Sequence, residues 1–200
     1  MQIDPVLGPR GDRSAQFFLY VEGPRDNAIL RGWAYRLLPS VARRLFRASV
    51  ILGGRRPARA IEHFRRAGGE EQGIRGLCIL DRDDGAQPVE DTEPGLEFFT
   101  WGRRHIESYL LVPEAICRTL RTTDISRAQR ALREHLPAAS DEAAYRCVDA
   151  KRLLAPKGPL PSALGSPISL HGVARATRHD ELHPDVHHVF DRLRECLGVR

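Results

Sequence analysis

The chain has 200 residues, 42% of them hydrophobic, and a formal net charge of +5; this suits one domain, or one domain with an appended part, and is enough to bury a core. No apolar run approaches the roughly 20 residues that a membrane-spanning helix needs, which argues against a membrane protein. The basic balance permits a polyanionic partner without requiring one.

Residues 1–15 are polar, carry Pro5, Gly8, Pro9 and Gly11, and lack the apolar stretch of a signal peptide, so they read as a flexible leader. Cys78, Cys117, Cys147 and Cys196 lie far apart and form no C-x-x-C. With no signal peptide, this pattern predicts a reducing, cytoplasmic setting and no structural zinc.

Gln16 to Glu22 is an aromatic-rich strand that ends in a carboxylate, and Gly23-Pro24 breaks it. A helix follows from Asp26 to about Leu38, with Ile29, Leu30, Trp33, Leu37 and Leu38 on one face. Ala48 to Leu52 forms a second strand, closed by Gly53-Gly54. Pro57 opens a helix carrying Ile61 and Phe64 that ends near Gly68-Gly69. The apolar run Gly76–Leu80 is a buried strand that runs straight into Asp81-Arg82-Asp83-Asp84-Gly85. This β-α-β-α-β order predicts parallel strands joined by right-handed crossovers.

An acidic, Pro-containing loop reaches Gly95, and Leu96–Trp101 is extended. Pro113 restarts a helix to about Leu120. Beyond Asp124 the spacing is helical near 125–136, 141–154, 169–177 and 185–197, and Pro156–Pro167 reads as a connector. The predicted organisation is a leader over 1–15, an α/β core over 16–112, and a helical extension over 113–200 on or beside that core.

Open α/β sheets place their chemistry past the carboxyl ends of the strands. Glu22 and Asp81 stand at two such ends, and Asp26 falls in the first helical turn after Glu22. The alternative is that Asp26 complements the helix dipole and Glu22 is solvated. If the strand stays extended past Leu80, Asp81 and Asp83 point to the same side. Converging carboxylates need a positive charge between them, and Mg²⁺ takes hard oxygen ligands of this kind. Neutralising Asp81 or Asp83 is then expected to leave stability unchanged or raise it, by relieving repulsion. Of 31 Lys and Arg residues only Lys151 and Lys157 are lysines, which suggests a task that a compact ammonium performs better than a planar guanidinium; the alternative is two leftover surface lysines in a chain whose coding bias favours arginine.

No G-x-x-x-x-G-K-[ST] and no G-x-S-x-G occur, which argues against a P-loop and against an α/β-hydrolase. His179, His183, His187 and His188 crowd the C-terminus, but Pro184 puts His183 outside the helix and no H-E-x-x-H is present. These histidines are not read as a metal set.

Val21-Glu22-Gly23-Pro24-Arg25-Asp26 resembles the V-E-G-x-x-D signature of Toprim domains, and Leu80-Asp81-Arg82-Asp83 resembles their D-x-D. Trp101…Arg104-His105-Ile106-Glu107-Ser108-Tyr109-Leu110 is similar to the I-E-N-Y-L segment of Toprim domains in OLD-family nucleases and related phage-defence effectors, with Ser108 in place of the usual Asn. Asp149–Leu154 resembles the lysine-bearing helix of that group but lacks its Gly before Lys, which leaves Lys151 and Lys157 both open.

The resemblance implies a Toprim (Rossmann-like) parallel sheet flanked by helices, with a helical C-terminal part. It implies a metal-dependent endonuclease that hydrolyses phosphodiester bonds of DNA or RNA with one or two Mg²⁺ or Mn²⁺ ions. Glu22, Asp26, Asp81 and Asp83 would hold the metal. Glu22, Lys151 and Glu107 would serve catalysis, with Glu107 completing a second site or orienting a water. Arg25, Arg82, Arg103 and Arg104 would hold the nucleic-acid backbone. A phage-defence role, an ATPase partner in trans and a homo-oligomer are further expectations. Because Met1 nearly abuts the first strand, the ATPase is expected on a separate chain, or else absent or removed. The alternatives are another Toprim activity, such as RNA maturation, and a non-catalytic module that binds nucleic acid or a partner.

Overall fold

The computed structural model describes residues 16–46, 49–84, 89, 92–120 and 124–199. The leader over 1–15, Ala48, Gly85 and part of the acidic loop lie outside the described residues.

Strands β1 (Gln16–Val21), β2 (Val50–Ile51), β3 (Ile74–Leu80) and β4 (Leu96–Thr100) form one sheet in the order β2-β1-β3-β4. Every pairing is parallel, with Val21 opposite Ile51 on one side and Ile79 on the other. This is the expected α/β, Toprim-like architecture. The parallel arrangement puts the ends of β2, β1 and β3 side by side at one sheet edge.

Alternation along the strands divides the core. Phe17, Leu19, Val21, Leu77 and Ile79 face one large cluster. Phe18, Tyr20, Cys78 and Leu80 face a smaller one, closed by Ala60, Ile61 and Phe64. Those three residues belong to α3 (Pro57–Arg66). The large cluster takes in α1 (Pro24–Leu37), α2 (Ala42–Leu45) and the later helices. These are α4 (Pro113–Thr119), α5 (Ile125–His135), α6 (Glu142–Cys147), α7 (Ala150–Leu153), α8 (Pro159–Leu164), α9 (Leu170–Ala176) and α10 (Pro184–Leu197). Helices α1 and α9 approach closely at Gly32, where a Cβ would lie 2.6 Å from the Ala174 Cβ.

Several boundaries differ from the sequence reading. Helix α1 begins at Pro24 rather than Asp26, because proline suits the first helical position, where no N–H is needed. The 141–154 segment is two helices. Val148 and Asp149 interrupt it, and the Asp149 side chain caps α7 by accepting from the Arg152 N–H. The 156–167 connector contains α8, with Pro159 at its start and a left-handed Gly165 at its end. Ile106–Leu110 is a 3-10 helix, buried throughout. No helix among the described residues is long and apolar enough to cross a membrane.

Candidate active site

The site grows from one pairing of neighbouring strand ends. Glu22 follows β1 and Asp81 follows β3, both buried. The Asp81 N–H donates to Glu22 Oε1 at 2.8 Å. Each oxygen of the Asp81 carboxylate has its own partner. Oδ1 accepts from the Ile106 N–H at 2.8 Å, which holds the start of the 3-10 helix. Oδ2 accepts from Lys151 Nζ at 2.6 Å. The Asp81 carbonyl also accepts from the Arg55 guanidinium. Four distant segments therefore meet on a residue that is 1% exposed.

The extended geometry expected through Asp83 does not persist. β3 ends at Leu80, and Asp83 takes a left-handed conformation, φ 46°, which aspartate tolerates better than most residues. Its N–H donates to the Arg104 carbonyl at 3.2 Å. Its Oδ1 lies 3.6 Å from Nε2 of the buried His105. Asp81 and Asp83 therefore do not align through strand alternation, yet the Asp83 charge still acts on both Glu22 and Lys151.

Three acids hold their protons unusually well. Burial, then the charges of Asp81, Asp83 and Asp26, pushes Glu22 up to about 7, against the lowering effect of the Asp81 N–H. Burial and Asp81 push Asp26 to about 6, opposed by its local backbone hydrogen bonds and by Lys151. Burial, with Asp81 and Asp26, pushes Glu107 to about 7, while its own backbone N–H and Lys151 pull it down. Glu107 is 1% exposed, and neither of its carboxylate oxygens has a hydrogen-bond partner. For Lys151, burial alone would lower the pKa, but the hydrogen bond and charge of Asp81 outweigh it and the pKa is raised.

The structure thus brings Glu22, Asp26, Asp81, Asp83, Glu107 and Lys151 into one electrostatic neighbourhood. Arg25, Glu107 and Lys151 line a small cleft of about 90 Å³ with Leu154, Pro156, Ile168 and Leu170. Lys157 is exposed on the turn after α7. A larger cavity of about 830 Å³, between α4 and α5, contains none of the predicted residues.

The predicted arginines differ in placement. Arg25 is exposed. Arg82 donates to the Gly102 and Arg146 carbonyls. Arg104 pairs with Asp84 at 3.1 Å. Arg103 is largely buried: it forks onto Glu142, donates to the Ser108 carbonyl, and stacks over the Tyr109 and Tyr145 rings. These contacts commit Arg103 to joining the 102–110 segment to α6.

The residues fit a hard divalent cation in donor chemistry. The acidic cluster includes a buried, unpartnered carboxylate at Glu107, and Lys151 is the ammonium that counters it. Among the described residues, however, no three His, Cys, Asp or Glu side chains already stand in ligating positions. Lys151 and the Ile106 N–H occupy the Asp81 oxygens that such an ion would take.

Sequence reasoning missed Arg55 and gave His105 no role. Gly53-Gly54 was the available signal for Arg55. A break at the end of β2 must lie next to the end of β1 once the strands are known to be parallel neighbours.

No family model and no curated protein matches the sequence. Solved structures do match. The C-terminal region of the Burkholderia pseudomallei OLD protein superposes with a TM-score of 0.51 at 16% identity, covering 92% of this chain and 98% of that one. The chain has the fold of the OLD C-terminal region. The corresponding region of the Xanthomonas campestris pv. campestris OLD protein gives 0.50 at 15% identity, over 92% and 94% of the two chains. At these identities the likeness to the OLD structures is one of fold. Any chemistry must be argued from this chain's own residues.

Proposed function

We propose that this chain is a metal-dependent nuclease that hydrolyses phosphodiester bonds of DNA or RNA. The observation that carries the reading is Glu107: a buried carboxylate, without a hydrogen-bond partner on either oxygen, within the field of Asp81, Asp26 and Lys151. Acids packed this closely are neutralised either by the protons that they hold unusually well or by a cation that takes the place of those protons. The OLD C-terminal fold supports the same class of activity.

Glu22, Asp26, Asp81 and Asp83 would hold one or two Mg²⁺ or Mn²⁺ ions, with Glu107 completing the second position or orienting a water. Bound there, such ions neutralise charge at the scissile phosphate and generate a nucleophile from water. Lys151 stabilises charge that develops on the phosphate or the leaving oxygen. Arg25 and Arg82 hold the backbone in a salt-dependent, largely sequence-blind manner. An ATPase partner in trans and a role in phage defence belong to this reading through the family resemblance.

A second reading has its own observation. Lys151 and the Ile106 N–H already satisfy Asp81, as they would in a non-catalytic binding module. Incubation with plasmid, single-stranded DNA and tRNA separates the two. The nuclease cleaves with Mg²⁺ or Mn²⁺, stops with EDTA, and loses activity in Asp81→Asn. A module binds without turnover. Because a partner in trans can gate activity, the assay includes an Mn²⁺-binding titration; absence of both cleavage and metal binding overturns the nuclease reading.

A further inference from the structure

At the sheet edge that carries the acids, guanidinium groups without a partner are not spread evenly. On the β4 side, Arg103 is paired with Glu142 and Arg104 with Asp84, and Arg82 donates to the Gly102 and Arg146 carbonyls. On the β2 side the picture differs. Arg56 and Arg25 are both exposed, and neither side chain makes a hydrogen bond or ion pair among the described residues. The first turn of α3, which Arg56 precedes, contains no acidic residue. The nearest acid along that helix, Glu62, is paired with Arg66.

The loop that carries Arg56 is tied to the acids. The Gly53 and Gly54 N–H groups both donate to the Glu22 carbonyl at 2.9 Å. This grip uses φ values of 77° and 113°, which only glycine adopts cheaply. Arg55 donates to the Asp81 carbonyl, and Arg59 donates to the Leu52 carbonyl at 2.8 Å. The loop is therefore fixed to the main chain of the two residues whose carboxylates anchor the site. Arg56, the next residue after Arg55, is exposed and has no side-chain partner among the described residues.

We propose that the β2–α3 loop, Gly53–Arg56, is a backbone clamp for the nucleic-acid strand. Arg56 contacts a non-scissile phosphate on the β2 flank, and Arg25 continues the track towards β1. This rests on the nuclease reading and adds to it the side of the site along which the substrate lies. The ligand chemistry is a phosphodiester, which DNA and RNA share. An exposed guanidinium on a rigid loop suits it, because the anchoring is already achieved before the phosphate arrives.

The test is fluorescence anisotropy in EDTA, where no cleavage occurs, with labelled single-stranded DNA, single-stranded RNA and duplex DNA. Arg56→Ala is expected to weaken binding by about three- to tenfold near 100 mM salt and Arg56→Glu by more. The Ala variant's salt slope should fall by roughly 0.7 on single strands or 0.9 on duplex, the loss of one phosphate contact. The arm with the largest change identifies the preferred nucleic acid. Arg66→Ala, at the far end of α3, should bind as wild type does. Unchanged affinity and slope for Arg56→Ala in every arm overturns the clamp while leaving the nuclease reading standing. Absence of any binding by the wild-type chain likewise overturns the clamp, while the nuclease reading stands or falls on cleavage and Mn²⁺ binding.

Discussion

Lys151 Nζ stands 2.6 Å from Asp81 Oδ2, on a carboxylate whose other oxygen already takes the Ile106 amide. The lysine is the resident counter-charge of the acidic cluster, and its side chain is 39% exposed. It is therefore held by an acid yet open to a ligand. Lys151→Arg should lower the cleavage rate by about a hundredfold, the scale of losing one preorganised donor. Nucleic-acid affinity should change little, since arginine keeps the positive charge that meets the phosphates. Lys157→Arg, on the exposed turn, should be near neutral. Single-turnover cleavage alongside binding isotherms checks both. Equal rates for Lys151→Arg and wild type would remove Lys151 from the reaction.

Asp81→Asn should destabilise the metal-free chain rather than leave it unchanged or stabilise it. The expectation from repulsion alone overlooked the two donors that this carboxylate satisfies. An amide has a single acceptor oxygen: kept on the Ile106 N–H it turns its N–H₂ towards the ammonium, and turned to the ammonium it leaves the Ile106 N–H facing a donor. The cost should be about 1–2 kcal/mol, below the 3–5 of a fully buried pair because Lys151 can turn to water. Urea unfolding in EDTA measures it.

Glu107→Met should act in the opposite direction. It removes two buried oxygens that no donor satisfies and should stabilise the metal-free chain by about 1–3 kcal/mol at pH 8. The same variant should lose affinity for Mn²⁺ in a titration. A destabilised variant with wild-type metal affinity would contradict both the packing argument and the assignment of Glu107 to the metal.

Stability without metal should fall as pH rises from about 6.5 to 8. Folded Glu22 and Glu107 keep protons to about 7, against 4.5 when exposed. Over that interval the folded chain binds more protons than the unfolded one, so the contribution is complete below about 4.5 and is lost through about 7. Below about 6.5, His63, His105, His171 and His183, whose pKa values burial lowers, work in the opposite direction, so the upper window is the informative one. Thermal melts in EDTA should show a falling Tm that Mn²⁺ restores at pH 8. A Tm that is flat or rises between pH 6.5 and 8 in EDTA would refute the raised acids.

Much of the frame was readable from local signals. Strands β1 and β3 declared themselves as apolar runs ending in acids, and parallel pairing followed from the helices between them. Glu22 and Asp81 were readable because the end of a strand says where a side chain will lie. What could not be read is what depends on distant closure. Nothing near Asp81 in the sequence reveals that Lys151, 70 positions away, would occupy one of its oxygens, or that the Ile106 amide would take the other. Arg103 was misleading for the same reason. In sequence it is one of two basic residues on a loop, and only the packed structure shows Glu142, Tyr109 and Tyr145 enclosing it. Helix α8 stayed hidden because prolines read as breakers, although the first turn of a helix has no use for the N–H they lack.

The junction at Asp81 has a consequence for the chain's synthesis. Its partners lie 26, 59, 25 and 70 positions away, at Arg55, Glu22, Ile106 and Lys151. A ribosome-bound chain that stops at the end of β4 has the strand-end acids but neither the Ile106 amide nor the lysine that balances them. The acidic cluster therefore matures late, after most of the helical half has emerged and docked on the sheet. A truncated product would carry the signature motifs with an unfinished centre.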